Sequence, residues 1–227
     1  MQHDIRGIRR INFGAGNRPI YGWENTDLVD GPGIDWQMNL DGFFAAGCDD
    51  DIYDELAAVH VIEHLKDPLA FMYSAWLMAK PDARMTIICP HGSSDAAWED
   101  PTHVRPFFEQ SFAYFGQPWH WMNPQSGYRG DWKIDRLFLV VDDDDFHDSD
   151  IMAHLIRHER NWCHFMHVEL RAVKPARDKS PDLMDEMHAT AISLSDYWIV
   201  DDGAFVKFHR DPRLVFDANG ELIPWDS

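Results

Sequence analysis

The stretch Ile11-Asn12-Phe13-Gly14-Ala15-Gly16-Asn17 constrains this chain more than any other. A short apolar run from Ile8 to Phe13 leads into Gly-x-Gly, the pattern of a strand that turns sharply around a ligand. Glycine accepts the left-handed backbone such a turn needs and has no side chain to hold the ligand away. Asp27 follows about a strand-length later, placed to accept hydrogen bonds from a ribose diol. This is the layout of a nucleotide-type cofactor site. A dinucleotide fingerprint asks for a third glycine where Pro19 stands, and for an acid further along than Asp27. Both departures weigh against NAD.

The rest of the chain alternates strands with helices and loops. Residues 8–13, 22–27 and 34–40 read as three short strands, with a short helix or none after the glycines. The second half of Ile52 to His60, continuing toward Ile62, reads as a buried strand, although its Glu, Leu and Ala residues also favour helix. Asp67-Pro68 starts a helix, with Asp67 as its N-cap and Pro68 at the first helical position. Leu69, Met72, Tyr73, Trp76 and Leu77 give that helix an apolar face. Strands are expected over 84–90, 137–141 and 162–173, and an irregular aromatic segment over 91–133. Asp142 to Asp145 reads as a solvated loop. Residues 176–227 form a polar C-terminal extension with one helix, Leu183 to Leu194, and short strands at 197–200 and 204–208. A glycine turn after the first strand of such a series predicts an α/β, Rossmann-like three-layer sandwich, with its ligand at the carboxyl ends of the strands.

The formal net charge of −19 opposes a phosphate backbone, so duplex nucleic acid is not the expected partner. Three cysteines, Cys48, Cys89 and Cys163, are too widely spaced for a disulfide framework or a cysteine zinc site. The N-terminus lacks an apolar leader, and no run approaches the roughly 18 apolar residues of a membrane span. A soluble, cytoplasmic protein is expected. The sequence is silent on oligomeric state.

Four stretches in order carry a family resemblance: Ile-Asn-Phe-Gly-Ala-Gly (11–16), Gly-Trp-Glu-Asn-Thr-Asp (22–27), Tyr-Asp-Glu-Leu-Ala-Ala-Val-His-Val-Ile-Glu-His-Leu (53–65) and Lys-Pro-Asp-Ala-Arg-Met-Thr-Ile-Ile-Cys-Pro (80–90). Asp100-Pro101-Thr102-His103-Val104-Arg105 with Ser111 to Phe115 adds a fifth. Over roughly residues 8–175 the chain resembles the class I S-adenosylmethionine (SAM)-dependent methyltransferases of the type 11 group. The resemblance implies a mostly parallel sheet with one antiparallel strand near its C-terminal end. It implies that Asn12, Gly14, Ala15 and Gly16 line the methionine part of the cofactor, that Asp27 holds the ribose, and that Asn39 and Leu40 flank adenine. Family members usually carry Asp where Asn39 stands. His60 would close the fourth strand beside the methyl group. The implied function is methyl transfer to a small-molecule, sugar or other non-polymer acceptor. His60, Asp100 and His103 are candidate catalytic groups, with His91 a further candidate base.

His60-Val61-Ile62-Glu63-His64 has a second reading. It fits H-x-x-E-H, which on a regular helix is a zinc hydrolase site. It is also similar to the Glu-x-x-Glu-His motif of some small-RNA and quinone O-methyltransferases, which implies a divalent metal on Glu63 and His64, with His91 or His103 completing the set. In a third reading Glu63 and His64 only bond locally. A non-catalytic module with the same fold is the remaining alternative. Residues 116–133, rich in Trp and Tyr, are expected to help build the acceptor pocket, and Arg105, Arg129 and Lys133 to meet an anionic acceptor group or neighbouring acids.

Overall fold

The structure, a computed structural model, describes residues 7–42, 50–142, 149–184 and 188–193, with the backbone of 198–201, 204–207, 215–216 and 222–223. Residues 1–6, Cys48, Asp49 and the run Asp143 to Asp145 lie outside the described residues, as do parts of the helix expected over 183–194.

Strands β1 (Arg10–Phe13), β2 (Glu24–Asp27) and β3 (Trp36–Gln37) are followed by β4 (Tyr53–Val59), helix α1 (Pro68–Met78) and β5 (Ala79–Pro90). Then come a short α2 (Ala96–Glu99), β6 (Trp132–Val141), α3 (Ser149–His158), β7 (Phe165–Ala172) and β8 (Ala189–Ser193). They form one eight-stranded sheet in the order β3-β2-β1-β4-β5-β7-β6-β8. Strand β7 runs antiparallel to both neighbours, and β8 adds in parallel to β6. The expected α/β sheet with one antiparallel strand near the end is therefore present. Strands β9 (Trp198–Asp201) and β10 (Ala204–Lys207) pair as a separate antiparallel ladder, as do β11 (Val215–Phe216) and β12 (Leu222–Ile223).

No helix joins β1 to β2. The connection instead hangs on the buried side chain of Asn25. Its Oδ1 accepts from Ile20 N–H (2.8 Å) and from Asn12 Nδ2–H (3.1 Å), and its Nδ2 donates to the carbonyls of Ile20 (3.0 Å) and Trp23 (3.1 Å). The acceptor and donor capacity of one amide thus satisfies a loop that a helix would otherwise satisfy internally. Pro19 packs against Gly33 so closely that a Cβ at residue 33 would lie 2.6 Å from its Cγ.

Helix α1 begins as expected, with Asp67 Oδ1 accepting from Ala70 N–H at 3.0 Å and Pro68 in the first turn. Its deepest face is not the expected one. Pro68, Phe71, Met72, Ala75 and Met78 are buried, whereas Leu69, Tyr73, Trp76 and Leu77 are partly so, because the helix is covered on more than one side. Trp132 is fully buried and donates its Nε1–H to the Met72 carbonyl at 3.0 Å, tying β6 to α1.

Three expectations need correction. Strand β4 ends at Val59, and Ile62–His64 is a 3-10 turn rather than a continuation of the strand. Residues 189–193, expected within a helix of the C-terminal extension, form β8, so the sheet extends past residue 175. The strand expected over 34–40 is reduced to Trp36–Gln37, because the chain turns into a 3-10 helix from Leu40 to Gly42; helix α3 had no expected counterpart. Among the described residues no helix is long and apolar enough to cross a membrane.

Candidate functional site

Strands β1, β4 and β5 end at one level: Phe13 lies beside Ala58, and Val59 beside Ile88. The turns that leave them form the site. Gly14 has φ +62°, and a Cβ there would lie 2.5 Å from Val61 Cγ2 past the end of β4, so the exit of β1 favours glycine. Gly16 has φ +56°, but a Cβ there would meet nothing within 4 Å, so its outer side is open. Ala15 is buried, and its N–H donates to Thr26 O at 2.8 Å, which stitches the turn to β2.

Asp27 closes the turn from the other strand. Its Oδ2 accepts from Gly16 N–H at 2.7 Å and its Oδ1 from Val29 N–H at 3.0 Å. An ionised carboxylate has about four acceptor positions, so two remain for a ligand. Asn12 is buried beneath and serves the Asn25 clamp. Leu40 is buried in a 3-10 turn, whereas Asn39 is exposed and caps that turn, its Oδ1 accepting from Asp41 N–H at 3.1 Å.

His60 follows β4 with φ +54°. A non-glycine residue there costs on the order of 1–3 kcal/mol, and such strain concentrates at functional sites. Its backbone N–H is held by Ile88 O at 2.8 Å, and its Nδ1 lies 3.3 Å from Glu63 Oε1. Glu63 is only 2% exposed, and its second oxygen, Oε2, is buried without a hydrogen-bond partner. Ligand atoms of Glu63, His64 and His103 lie within 4.8 Å of one another.

Hydrogen bonds fix the tautomers of both histidines. His103 Nδ1 faces the Ala97 carbonyl at 3.2 Å and must donate. Thr102 Oγ1 donates to Asp100 Oδ1 at 2.7 Å and so accepts from His64 Nδ1–H at 2.9 Å. These bonds use Nδ1 of each ring and leave Nε2 outside them. Asp100 braces His64 through Thr102, whose hydroxyl and amide hold its carboxyl below its ordinary value, and its Oδ2 lies 3.9 Å from His103 Nε2.

His91 does not join this group. It is buried, its Nδ1 accepts from Ser93 N–H at 3.2 Å, and its Nε2–H donates to Glu109 Oε2 at 3.3 Å. With both nitrogens committed it is neither a base nor a ligand. Burial, reinforced by the nearby Glu63 carboxylate, pushes the Cys89 thiol well up, so it stays neutral.

The H-x-x-E-H hydrolase geometry is absent, because His60 ends a strand and Glu63 and His64 stand on a 3-10 turn. The aromatic segment 116–133 also lies elsewhere. Trp132 pairs with Ala172, and Lys133 with Arg171, which faces Arg84. That level is the amino-terminal edge of the parallel strands, opposite Gly14 and His60. Lys133 therefore sits away from the site. Of the three basic residues singled out, Arg105 alone approaches the site, and its Nη2 donates to Lys66 O at 2.6 Å.

No family model matches the sequence, and no curated protein matches it. Solved structures match the fold. A SAM-dependent methyltransferase from Archaeoglobus fulgidus aligns with TM-score 0.50 at 15% identity, covering 73% of this chain and 86% of that one. A SAM-dependent methyltransferase from Mesorhizobium loti aligns with TM-score 0.46 at 14% identity, covering 73% and 91%. The chain has the class I SAM-dependent methyltransferase fold.

Proposed function

We propose that this protein is a methyltransferase that moves the methyl group of SAM to a hydroxyl of a non-polymer acceptor. The observation that carries the reading is the meeting of Gly14, Gly16, Asp27 and the strained His60 at one end of the sheet, with the open side of Gly16 facing outward. The residues fit the cofactor. Asp27 keeps two acceptor positions for the ribose diol, Gly16 leaves space for the methionine moiety, and Leu40 offers an apolar wall to adenine with Asn39 beside it. When bound, SAM supplies a methyl group on a sulfonium, which leaves without acid assistance.

The protein's part is positioning and proton removal. His60 is the base. Its Nδ1–H is aimed at Glu63 Oε1, which orients the ring and leaves Nε2 to take the hydroxyl proton. As the acceptor oxygen bonds to the methyl carbon, the C–S bond breaks with its electron pair staying on sulfur.

The same reading extends to a divalent metal. Glu63, His64 and His103 are a carboxylate and two imidazoles with fixed tautomers, and the orphaned Glu63 Oε2 lacks the partner a cation would provide. Such a donor set suits zinc, manganese or iron(II) better than magnesium. An ion there would act as a Lewis acid toward the acceptor hydroxyl.

Calorimetric titration with S-adenosylhomocysteine is the test. Stoichiometric binding that Asp27→Ala weakens supports the reading. No binding at high micromolar concentration would leave a non-catalytic module of the same fold.

A further inference from the structure

Away from the site, helix α3 carries two histidines that the fold leaves unused. Met152 and Ile156 bury one face of the helix, and His154 and His158 stand exposed on the opposite face. Residues four apart on a helix are neighbours, with about 5–6 Å between their Cβ atoms. The two rings accordingly meet, with centroids 4.5 Å apart and planes inclined at 45°. Among the described residues neither ring makes a hydrogen bond or an ion pair. His64, His91, His103 and His120 differ, because each commits a ring nitrogen to a fixed partner.

Such a pair is a chelate in waiting. Two imidazoles one helical turn apart can share one ion, as the two histidines of a helical H-E-x-x-H site do. An ion bound to both needs its two nitrogens about 3.3 Å apart. Both rings face water, so they can turn to that spacing without disturbing the core. The backbone that presents them is already anchored. Beyond the helix, Asn161 N–H donates to Ser93 O at 3.1 Å, and Asn161 Nδ2–H to Asp95 Oδ2 at 2.7 Å. A preformed site lowers the entropy cost of binding. Charge favours a cation as well. His158 is the last residue of α3, at the negative end of the helix dipole, and the chain carries a net charge of −19. Arg157 and Arg160 oppose this, but Arg160 is paired with Asp95 and Arg157 acts on the Glu109 carboxylate.

We propose that His154 and His158 form a surface site for one divalent ion of the zinc class, held by two imidazoles with water in its remaining positions. Imidazole suits zinc, whereas magnesium and calcium prefer oxygen ligands. The site is separate from Glu63, His64 and His103, which include a buried carboxylate and stand on other segments. It does not depend on the methyltransferase reading. Because the pair exists only while α3 is helical, a bound ion also stabilises that helix.

The full chain is titrated calorimetrically with zinc and, separately, with magnesium. Zinc is expected to fill one equivalent that His154→Ala and His158→Ala each weaken by about tenfold or more, because a chelate loses its gain with either arm. His103→Ala should leave that equivalent in place. Register supplies the second check. Arg157→His added to His158→Ala returns a histidine three residues from His154, on the same face, and should restore binding. Glu159→His in the same background puts it five residues away and should not. Zinc affinity unchanged by either single substitution, equal rescue by Glu159→His and Arg157→His, or magnesium binding as tight as zinc would overturn the proposal.

Discussion

His64 and His103 meet edge to face, with ring centroids 4.7 Å apart, and each presents Nδ1 to a fixed oxygen partner. Metal-binding histidines are oriented in this way by the bond their other nitrogen makes. Thr102 is the second link in the chain His64 Nδ1–H to Thr102 to Asp100. Thr102→Val keeps the shape and removes the hydroxyl. Zinc affinity, read by competition with a fluorescent chelator, should then fall by about 10–100-fold. His103→Ala should abolish zinc uptake at this site. If wild type takes up no zinc, or Thr102→Val binds it equally well, the cluster is a hydrogen-bonded corner and nothing more.

Asp27 Oδ2 accepts from Gly16 N–H at 2.7 Å. Asp27→Ala therefore removes a turn constraint together with a ribose acceptor. S-adenosylhomocysteine affinity should drop by about 1–3 kcal/mol, the scale of a lost charge-assisted bond. Asp27→Asn retains one acceptor oxygen and should lose less. Equal affinities for wild type and both variants would place the ribose elsewhere.

The tight turn at Gly14 and Gly16 with Asp27 closing it was legible in the sequence because each answers to a local demand, a left-handed turn or a charge in a fixed place. The start of α1 was legible for the same reason, through Asp67 and Pro68. What escaped was set by distant parts of the chain. Ala189 to Ser193 became a strand because the edge of β6 was there to pair with. The segment 116–133 went to the far edge of the sheet because Asp131 and Trp132 are held by Arg177 and Met72. Trp98 and Phe108 are assembled by their common contact with Gly92, which no spacing in the sequence announces.

His167 on β7 is 2% exposed, with its ring edge-on to Phe138 at 5.8 Å. Burial, aided by the Arg136 charge, pushes its pKa from the ordinary 6.5 down to about 3. Below pH 6.5 the unfolded chain therefore binds a proton that the folded protein refuses. Its contribution to stability is complete above pH 6.5 and is lost on acidification toward pH 3, by up to about 1.4 kcal/mol per pH unit. Urea midpoints measured at pH 7 and pH 5 should fall less steeply for His167→Leu than for wild type. Parallel slopes would show that His167 is protonated in the fold.

Asp131 is fully buried and binds Arg177 through both oxygens: Oδ1 accepts from Nη2–H at 2.9 Å, and Oδ2 from Nε–H at 2.9 Å and from the backbone N–H at 2.7 Å. Oδ1 also accepts from Gln117 N–H at 3.0 Å. One carboxylate thus fastens the aromatic segment and the chain leaving β7 to the same point. Removing one partner of a buried pair strands the other, at about 3–5 kcal/mol. Asp131→Ala should lower the urea midpoint accordingly, with an unchanged slope. Arg177→Lys keeps the charge but not the planar fork, and should also be destabilised. Replacing both partners together, Asp131→Leu with Arg177→Met, should cost less than Asp131→Ala, because no charge is left unpaired. Since this lock lies at the edge of the sheet opposite Gly14, folded Asp131→Ala protein should bind S-adenosylhomocysteine as wild type does. Loss of that binding in the folded variant would put segment 116–133 back at the site.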